Sequence, residues 1–269
     1  MTAEEDYRRY ASELRAECKR RGWPEPLRYG PDEPPVEGER AKACREVFDV
    51  LAHLRPTLRI VTAISRRSVE VYGKDLDVWV IHNEFPKSAE IREHFEQLAA
   101  AHGAELWEYD CFHRGTNPTW SRYHAGIYTW PMGLKGNFIW RYGETFTWGS
   151  VMSQAWEPTF VRIQPGPFGP VTSVGWEARR EGIEDYRYLR RIETLCETAE
   201  GRKADEARRW LAELRQRVLG TEIPDPPDVH RFCGWDKADL WTECPQFARG
   251  ELSRIRAQAI DLLLEFQEL

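Results

Sequence analysis

The stretch Arg28-Tyr29-Gly30-Pro31-Asp32-Glu33-Pro34-Pro35 places two adjacent carboxylates at the end of a short apolar-aromatic run. On a regular strand, neighbouring side chains point to opposite faces. At a frayed strand end, with Pro34 forcing Glu33 toward extended geometry, both carboxylates can converge on one site. Such a pair suits acid–base work on a bound sugar or ester. It suits a plain helix start equally well. Acidic residues favour a helix N-terminus, and proline favours its first turn. The stretch by itself leaves both readings open.

Aromatic residues supply the second group of candidates. The chain has 12 tryptophans, and Trp79, Trp107, Trp120, Trp130, Trp140, Trp148 and Trp156 fall in one central region. Aromatics in such numbers build cores. Interleaved with Arg, Asn, His and Glu, they equally fit an aromatic-lined cleft with a few polar groups. Trp79, Trp107 and Trp140 lie within expected strands, and by alternation Trp140 shares a side with Tyr142, so one of these two could floor a sugar subsite. His82, Asn83, Arg122 and Glu144 are candidates for binding hydroxyls.

The elements that would position these groups follow from periodicity. Residues 2–21 read as a helix with an apolar stripe through Tyr7, Leu14 and Cys18, ended by Gly22. Strands are expected at 27–30, 58–64, 76–81, 105–112 and 136–141, where β-branched and aromatic residues run between turn signals. Helices are expected at about 36–54, 88–101, 176–198, 204–219 and 250–269, with 121–130 irregular or helical. Residues 148–170, rich in Pro and Gly, read as a long loop. Alternation of strand and helix with short connections predicts parallel βα units. Each strand ends in polar or aromatic residues, as a (β/α)8 barrel requires of its catalytic rim. A doubly wound sheet is the alternative, but no glycine-rich phosphate loop is present. The expectation is an α/β, TIM-barrel-like fold that is incomplete, with about five parallel strands and extra C-terminal helices. Residues 1–200 would form the partial barrel, and 201–269 a helical extension packed on it.

Composition narrows the partners. With 269 residues and a formal charge of −6, the chain gives no electrostatic case for nucleic acid. No apolar run reaches membrane-spanning length. The acidic N-terminus does not resemble a secretory leader, so the cytoplasm is the default location. Six cysteines without CxxC spacing predict free buried thiols rather than a disulfide framework or a zinc site.

Two blocks point to a family. Pro165-Gly-Pro-Phe-Gly-Pro170 runs into Ser173-Val-Gly-Trp-Glu-Ala-Arg-Arg-Glu-Gly-Ile-Glu-Asp-Tyr-Arg-Tyr-Leu189. The segment Glu177 to Leu189 resembles the C-terminal signature of the glycoside hydrolase family 123 catalytic domain and its uncharacterised relatives. It departs at Gly175, where the pattern has arginine. Asp32-Glu33-Pro34 after a strand, then Leu76 to Trp79, then Trp107 to Tyr109, are similar in order and spacing to that family's barrel strands, over residues 20–200.

The resemblance implies a (β/α)8 barrel acting on N-acetyl-β-galactosaminides with retention and no covalent enzyme intermediate, by substrate-assisted catalysis. Asp32 would orient the substrate's acetamido N–H and stabilise the oxazolinium ion. Glu33 would protonate the leaving oxygen and then deprotonate water. Tyr109 is a candidate donor to the acetamido oxygen. The partner is a carbohydrate, and no cofactor or metal is implied. Glu177, Arg180 and Asp185 are expected to be structural. In the family's count the strand before the pair is the fourth, and here only a helix precedes it. Either the chain is part of a longer enzyme, or it is a reduced relative that closes its gap by oligomerising or with its C-terminal extension. Two other readings stay open: an inactive carbohydrate-binding or structural remnant, and an α/β enzyme of different chemistry that uses the pair as a base.

Overall fold

The computed structural model describes residues 3–53, 55, 57–82, 89–110, 118–139, 163–166, 169–172, 174–220, 247 and 250–267. The strands β1 (Leu27–Tyr29), β2 (Arg59–Ile64), β3 (Val78–His82), β4 (Glu105–Asp110) and β5 (Gly136–Ile139) follow one another through the sheet in chain order. Pairing is parallel at β1–β2, β2–β3 and β3–β4. Helices stand between successive strands, so the fold is α/β and its architecture is that of an incomplete (β/α) barrel. The chain divides into two compact units, Met1–Tyr109 and Asp110–Leu269.

In the first unit, α1 (Ala3–Arg21) is laced by short-range ion pairs such as Arg20–Glu17 and Arg21–Glu17. It ends where Gly22 adopts φ 66° and the Trp23 N–H donates to the Cys18 carbonyl at 2.9 Å. A left-handed residue just past the last turn is the expected C-terminal stop, and glycine takes that conformation without a Cβ clash.

The next helix, α2 (Glu39–Ala52), begins later than its sequence suggests, after Gly38 at φ 88°. Asp32 and Glu33 are therefore not in its first turn. The plain helix-start explanation for the pair is removed.

Further along lie α3 (Arg66–Tyr72), a 3-10 turn (Gly73–Asp75) and α4 (Ala89–His102). The Ser65 hydroxyl accepts from the Ser68 N–H and caps α3. Both faces of β2 and β3 are buried, as parallel strands covered on two sides must be. Trp79 has no exposed surface, donates its indole N–H to the Gly73 carbonyl at 3.1 Å, and lies 5.8 Å from the His102 ring of α4. Phe48 of α2 meets Tyr72 of α3 at 5.1 Å.

The second unit holds α5 (Pro118–Tyr123), which runs directly into a π-helical turn (His124–Tyr128). It continues with β5, a hairpin β6 (Ile163–Gly166) and β7 (Gly169–Thr172), then α6 (Val174–Thr198), α7 (Arg202–Leu219) and α8 (Glu251–Gln267). The hairpin is antiparallel, with Pro165 opposite Pro170, where sequence suggested only loop. Residues 148–162 lie outside the described residues. Cys18, Cys44 and Cys196 are free buried thiols.

The family-like segment of α6 has a mechanical explanation. A Cβ at Gly182 would lie 2.2 Å from the Arg122 carbonyl oxygen, and one at Gly126 would lie 2.4 Å from the Gly182 carbonyl oxygen. Helices α5 and α6 thus touch backbone to backbone, and neither side of the contact can rotate away. Gly182→Ala should destabilise this unit by about 1–3 kcal/mol, the usual cost of overpacking a rigid contact. Urea unfolding would read this as a lower midpoint at unchanged slope. An unshifted midpoint would show that the helices part freely.

Candidate active site

Four carbonyls of the loop after β1, those of Pro31, Asp32, Pro34 and Pro35, are held by side-chain donors. The Gly30 N–H donates to the Val61 carbonyl at 2.8 Å, continuing the β1–β2 ladder one residue past the strand. Beyond it, hydroxyls of β2 and α3 take over from the ladder. Thr62 Oγ1 donates to the Pro31 carbonyl at 2.5 Å, Ser68 Oγ to the Pro34 carbonyl at 2.7 Å, and the Tyr72 hydroxyl to the Pro35 carbonyl at 2.8 Å. Arg40 Nη2 donates to the Asp32 carbonyl at 2.8 Å. Prolines have no N–H, so a loop built from Pro31, Pro34 and Pro35 offers mainly acceptors. Thr62, Ser68 and Tyr72 supply the matching donors.

Within this loop the two carboxylates have separate tethers. The Tyr29 hydroxyl donates to Asp32 Oδ1 at 2.7 Å. The Tyr109 hydroxyl, from the end of β4, donates to Glu33 Oε1. The Glu33 N–H donates to the Ala63 carbonyl at 3.2 Å, and the Ala63 N–H faces the Tyr29 hydroxyl oxygen at 3.4 Å. One residue of β2 therefore references both acids. Both side chains are exposed, open to a ligand from solvent.

Glu33 has φ 41°, the only positive value at a non-glycine residue among those described. A side chain in the left-handed region costs of order 1–3 kcal/mol, and such strain concentrates at functional sites. The conformation turns Glu33 out of the extended direction that Pro34 would otherwise favour, and toward Tyr109.

Burial, the hydrogen bond to Asp32 and the charge of that carboxylate together push the Tyr29 phenol up to about 12. The fold thus holds Tyr29 protonated. Its contribution to stability is fully present below the ordinary tyrosine value of about 10, and it is lost as pH rises toward the folded value. In a [13Cζ]tyrosine NMR titration Tyr29 should ionise well above a free tyrosine, and Asp32→Asn should bring its midpoint down. A midpoint indifferent to Asp32→Asn would show that the hydrogen bond is absent in solution.

The other candidates divide. Parallel register pairs Val80 with Trp107 and His82 with Tyr109. Trp107 and Tyr109 share one face of β4, with Glu105 below them on the same face. Trp107 is half-buried and donates its indole N–H to Glu105 Oε2 at 3.0 Å, while Arg59 pairs with Glu105 Oε1 at 3.0 Å. His82 is level with Tyr109 at the strand end. Trp79, in register with Leu106, lies on the opposite face inside the helix-covered core. No face of Trp79 is left for a sugar.

Arg122, in the second unit, gives two hydrogen bonds to Asp185, at 2.7 and 3.2 Å. Two more go to Ser253 Oγ and the Leu252 carbonyl. Its guanidinium is committed to the α5–α6–α8 junction. Asp185 joins it there as a structural ion pair, whereas Glu177 and Arg180 form an exposed pair on α6. Asn83, Trp140, Tyr142 and Glu144 lie outside the described residues.

Tyr29, Thr62, Ser68 and Tyr72 were not singled out from sequence. Only Tyr29 left a trace there, as an aromatic three residues before Asp32. Among the described residues no group of His, Cys, Asp and Glu could hold a metal ion, and no helix is long and apolar enough to cross a membrane.

Comparison with known proteins bears on the same residues. The family model described as glycoside hydrolase 123, catalytic domain, matches residues 2–192. No curated protein sequence matches. Among solved structures, a family 123 glycoside hydrolase from Clostridium perfringens, studied for glycolipid glycan hydrolysis, is similar with TM-score 0.55 at 13% identity. The match covers 96% of this chain and 44% of that one, so the chain spans less than half the length of that enzyme. At this identity the likeness concerns the fold. The family match contains the loop, both carboxylates and both tyrosines, and the chain belongs to the glycoside hydrolase 123 catalytic-domain family.

Proposed function

We propose that the chain hydrolyses β-linked N-acetylhexosamine, with N-acetyl-β-galactosaminides as substrates, by a retaining, substrate-assisted mechanism. The observation that carries this reading is the adjacent pair on a pinned loop, each carboxylate on its own tyrosine and Glu33 in a strained conformation. Ordinary retaining enzymes set two carboxyl groups about 5 Å apart across the bond, one of them as nucleophile. Here the acids are sequence neighbours, an arrangement suited to two different atoms of one substrate. Family membership supports the assignment of roles.

In this mechanism the substrate's own acetamido oxygen attacks the anomeric carbon and forms a bicyclic oxazolinium ion. Asp32 accepts the acetamido N–H and stabilises the positive charge that develops on it. Glu33 gives its proton to the departing glycosidic oxygen, then takes one from the water that opens the ring. Tyr109, already at Glu33, is close enough to the pair to serve a bound acetamido group. Trp107, on the same face, is the described aromatic placed to stack on a sugar.

The test is hydrolysis of 4-nitrophenyl N-acetyl-β-galactosaminide, with the anomer of the first-formed sugar read by NMR. Release of the β-hemiacetal supports the reading. Saturable sugar binding with no turnover would leave the carbohydrate-binding remnant as the correct description, and release of the inverted anomer would exclude the mechanism.

A further inference from the structure

Each acid of the pair is held by a phenol, but the two phenols have different surroundings. Tyr109 is largely buried at the end of β4, whereas Tyr29 is half exposed on β1, three residues before the carboxylate it holds. Tyr29 is also linked to the sheet through the Ala63 N–H, so the line Ala63 N–H, Tyr29 O–H, Asp32 Oδ1 runs from the β2 backbone to the acid. The Asp32 carbonyl is fixed separately by Arg40, which leaves the side-chain torsions as the remaining freedom. No side chain among the described residues reaches Asp32 Oδ2, while Oδ1 is occupied.

We infer that Tyr29 is a positioning residue that acts through Asp32, fixing the carboxylate so that Oδ2 is presented to the substrate's acetamido N–H. The inference rests on the proposed role of Asp32, and it adds a residue and a division of labour between the two oxygens. The physical argument is that a carboxylate on a flexible stem has two equivalent oxygens and a free χ2. A donor on one oxygen breaks that equivalence before the substrate arrives, so less ordering is needed at the transition state. A phenol suits this place. It stays protonated across the working range and donates without adding a competing charge.

The consequence is separable from folding. Tyr29→Phe keeps the ring on β1 and removes only the hydroxyl. It is expected to lower kcat on 4-nitrophenyl N-acetyl-β-galactosaminide roughly tenfold, the scale of one hydrogen bond to a charged group, with KM changed by less than about twofold. Binding of the galactose-configured 2-methylthiazoline, a stable mimic of the oxazolinium ion, should weaken by a similar factor in calorimetry. In an Asp32→Ala background, Tyr29→Phe should cost nothing further, because its effect passes through that carboxylate.

If Tyr29→Phe does not fold, the tyrosine titration of Asp32→Asn reads the same contact with Tyr29 in place, and a lowered Tyr29 midpoint supports the inference. Tyr29→Phe equal to the unmutated chain, or an equal loss with and without Asp32, overturns the positioning role while leaving the proposed activity intact. If the unmutated chain neither hydrolyses the galactosaminide nor binds the thiazoline, the activity and the inference fall together.

Discussion

Glu33→Gln is expected to lower kcat on 4-nitrophenyl N-acetyl-β-galactosaminide by roughly 10²–10⁴-fold, the range for removal of a general acid–base. The substitution keeps the side chain's shape and leaves an amide oxygen to accept from the Tyr109 hydroxyl, so the loop should hold. The loss should depend on the leaving group. A 2,4-dinitrophenyl aglycone departs without protonation, and for it the first step should survive while opening of the oxazolinium by water becomes slow. A uniform loss across leaving groups would sink the acid–base role and point to a distorted loop.

Strain offers an independent reading of the same residue. Glycine reaches φ 41° without steric cost. Glu33→Gly should therefore abolish turnover without lowering the thermal midpoint, the signature of a residue kept for its chemistry. A clear fall in the midpoint would mean that the Tyr109 contact, rather than catalysis, accounts for Glu33.

The largest expected effect on stability belongs to Asp185. Its carboxylate has 2% of its surface exposed and accepts from both Arg122 of α5 and Arg256 of α8, while Arg256 also binds Glu181. Arg256 holds the Glu181 carboxyl below the usual carboxylate range, and the two carboxylates keep the Arg256 guanidinium above its ordinary value despite burial. Arg180 also pairs with Glu181 from the exposed side, so three guanidiniums meet two carboxylates across the α5–α6–α8 junction.

Asp185→Ala takes from Arg122 its carboxylate partner and leaves Arg256 to share Glu181 with Arg180, at a place where Arg122 and Arg256 are mostly buried. Removing one partner of a buried ion pair costs about 3–5 kcal/mol, far more than the pair itself contributes. Urea unfolding of the second unit and limited proteolysis of the 251–267 helix should both report the loss. A change under about 1 kcal/mol would show the cluster to be solvated and incidental. Acid should loosen the same junction. Glu181 contributes stability that is present above its unfolded pKa and is lost as pH falls through its lowered folded value.

The sequence by itself determined the class of fold, and it marked the acid pair on which the proposed function rests. The five strands of the parallel sheet each lie within or beside a segment predicted from period-two and β-branched patterning, in the order of the chain, whereas the β6–β7 hairpin falls where only loop was expected. Parallel strands with short helical crossovers leave little topological choice, so local pattern was sufficient. Asp32 and Glu33 were legible as candidates because two adjacent carboxylates stand before Pro-Pro at a strand end, and Tyr109 only through the family resemblance and its place near a strand end.

What only the tertiary structure decided is what those residues touch. The start of α2 at Glu39 depends on hydroxyls from β2 and α3 that hold the proline-rich loop open, and these lie 31 to 37 residues from the carbonyls they bind. Tyr29 lies beside Asp32 in the chain, yet its hydrogen bond depends on the loop turning back over β1. Trp79 and Trp107 have similar sequence surroundings, and the sheet sends one into the core and leaves the other half-exposed. Alternation fixes that two neighbouring positions face opposite ways, but which face meets helices is set by packing alone. Arg122 passed for a substrate ligand for the same reason, since its carboxylate partner comes from a helix 63 residues later in the chain.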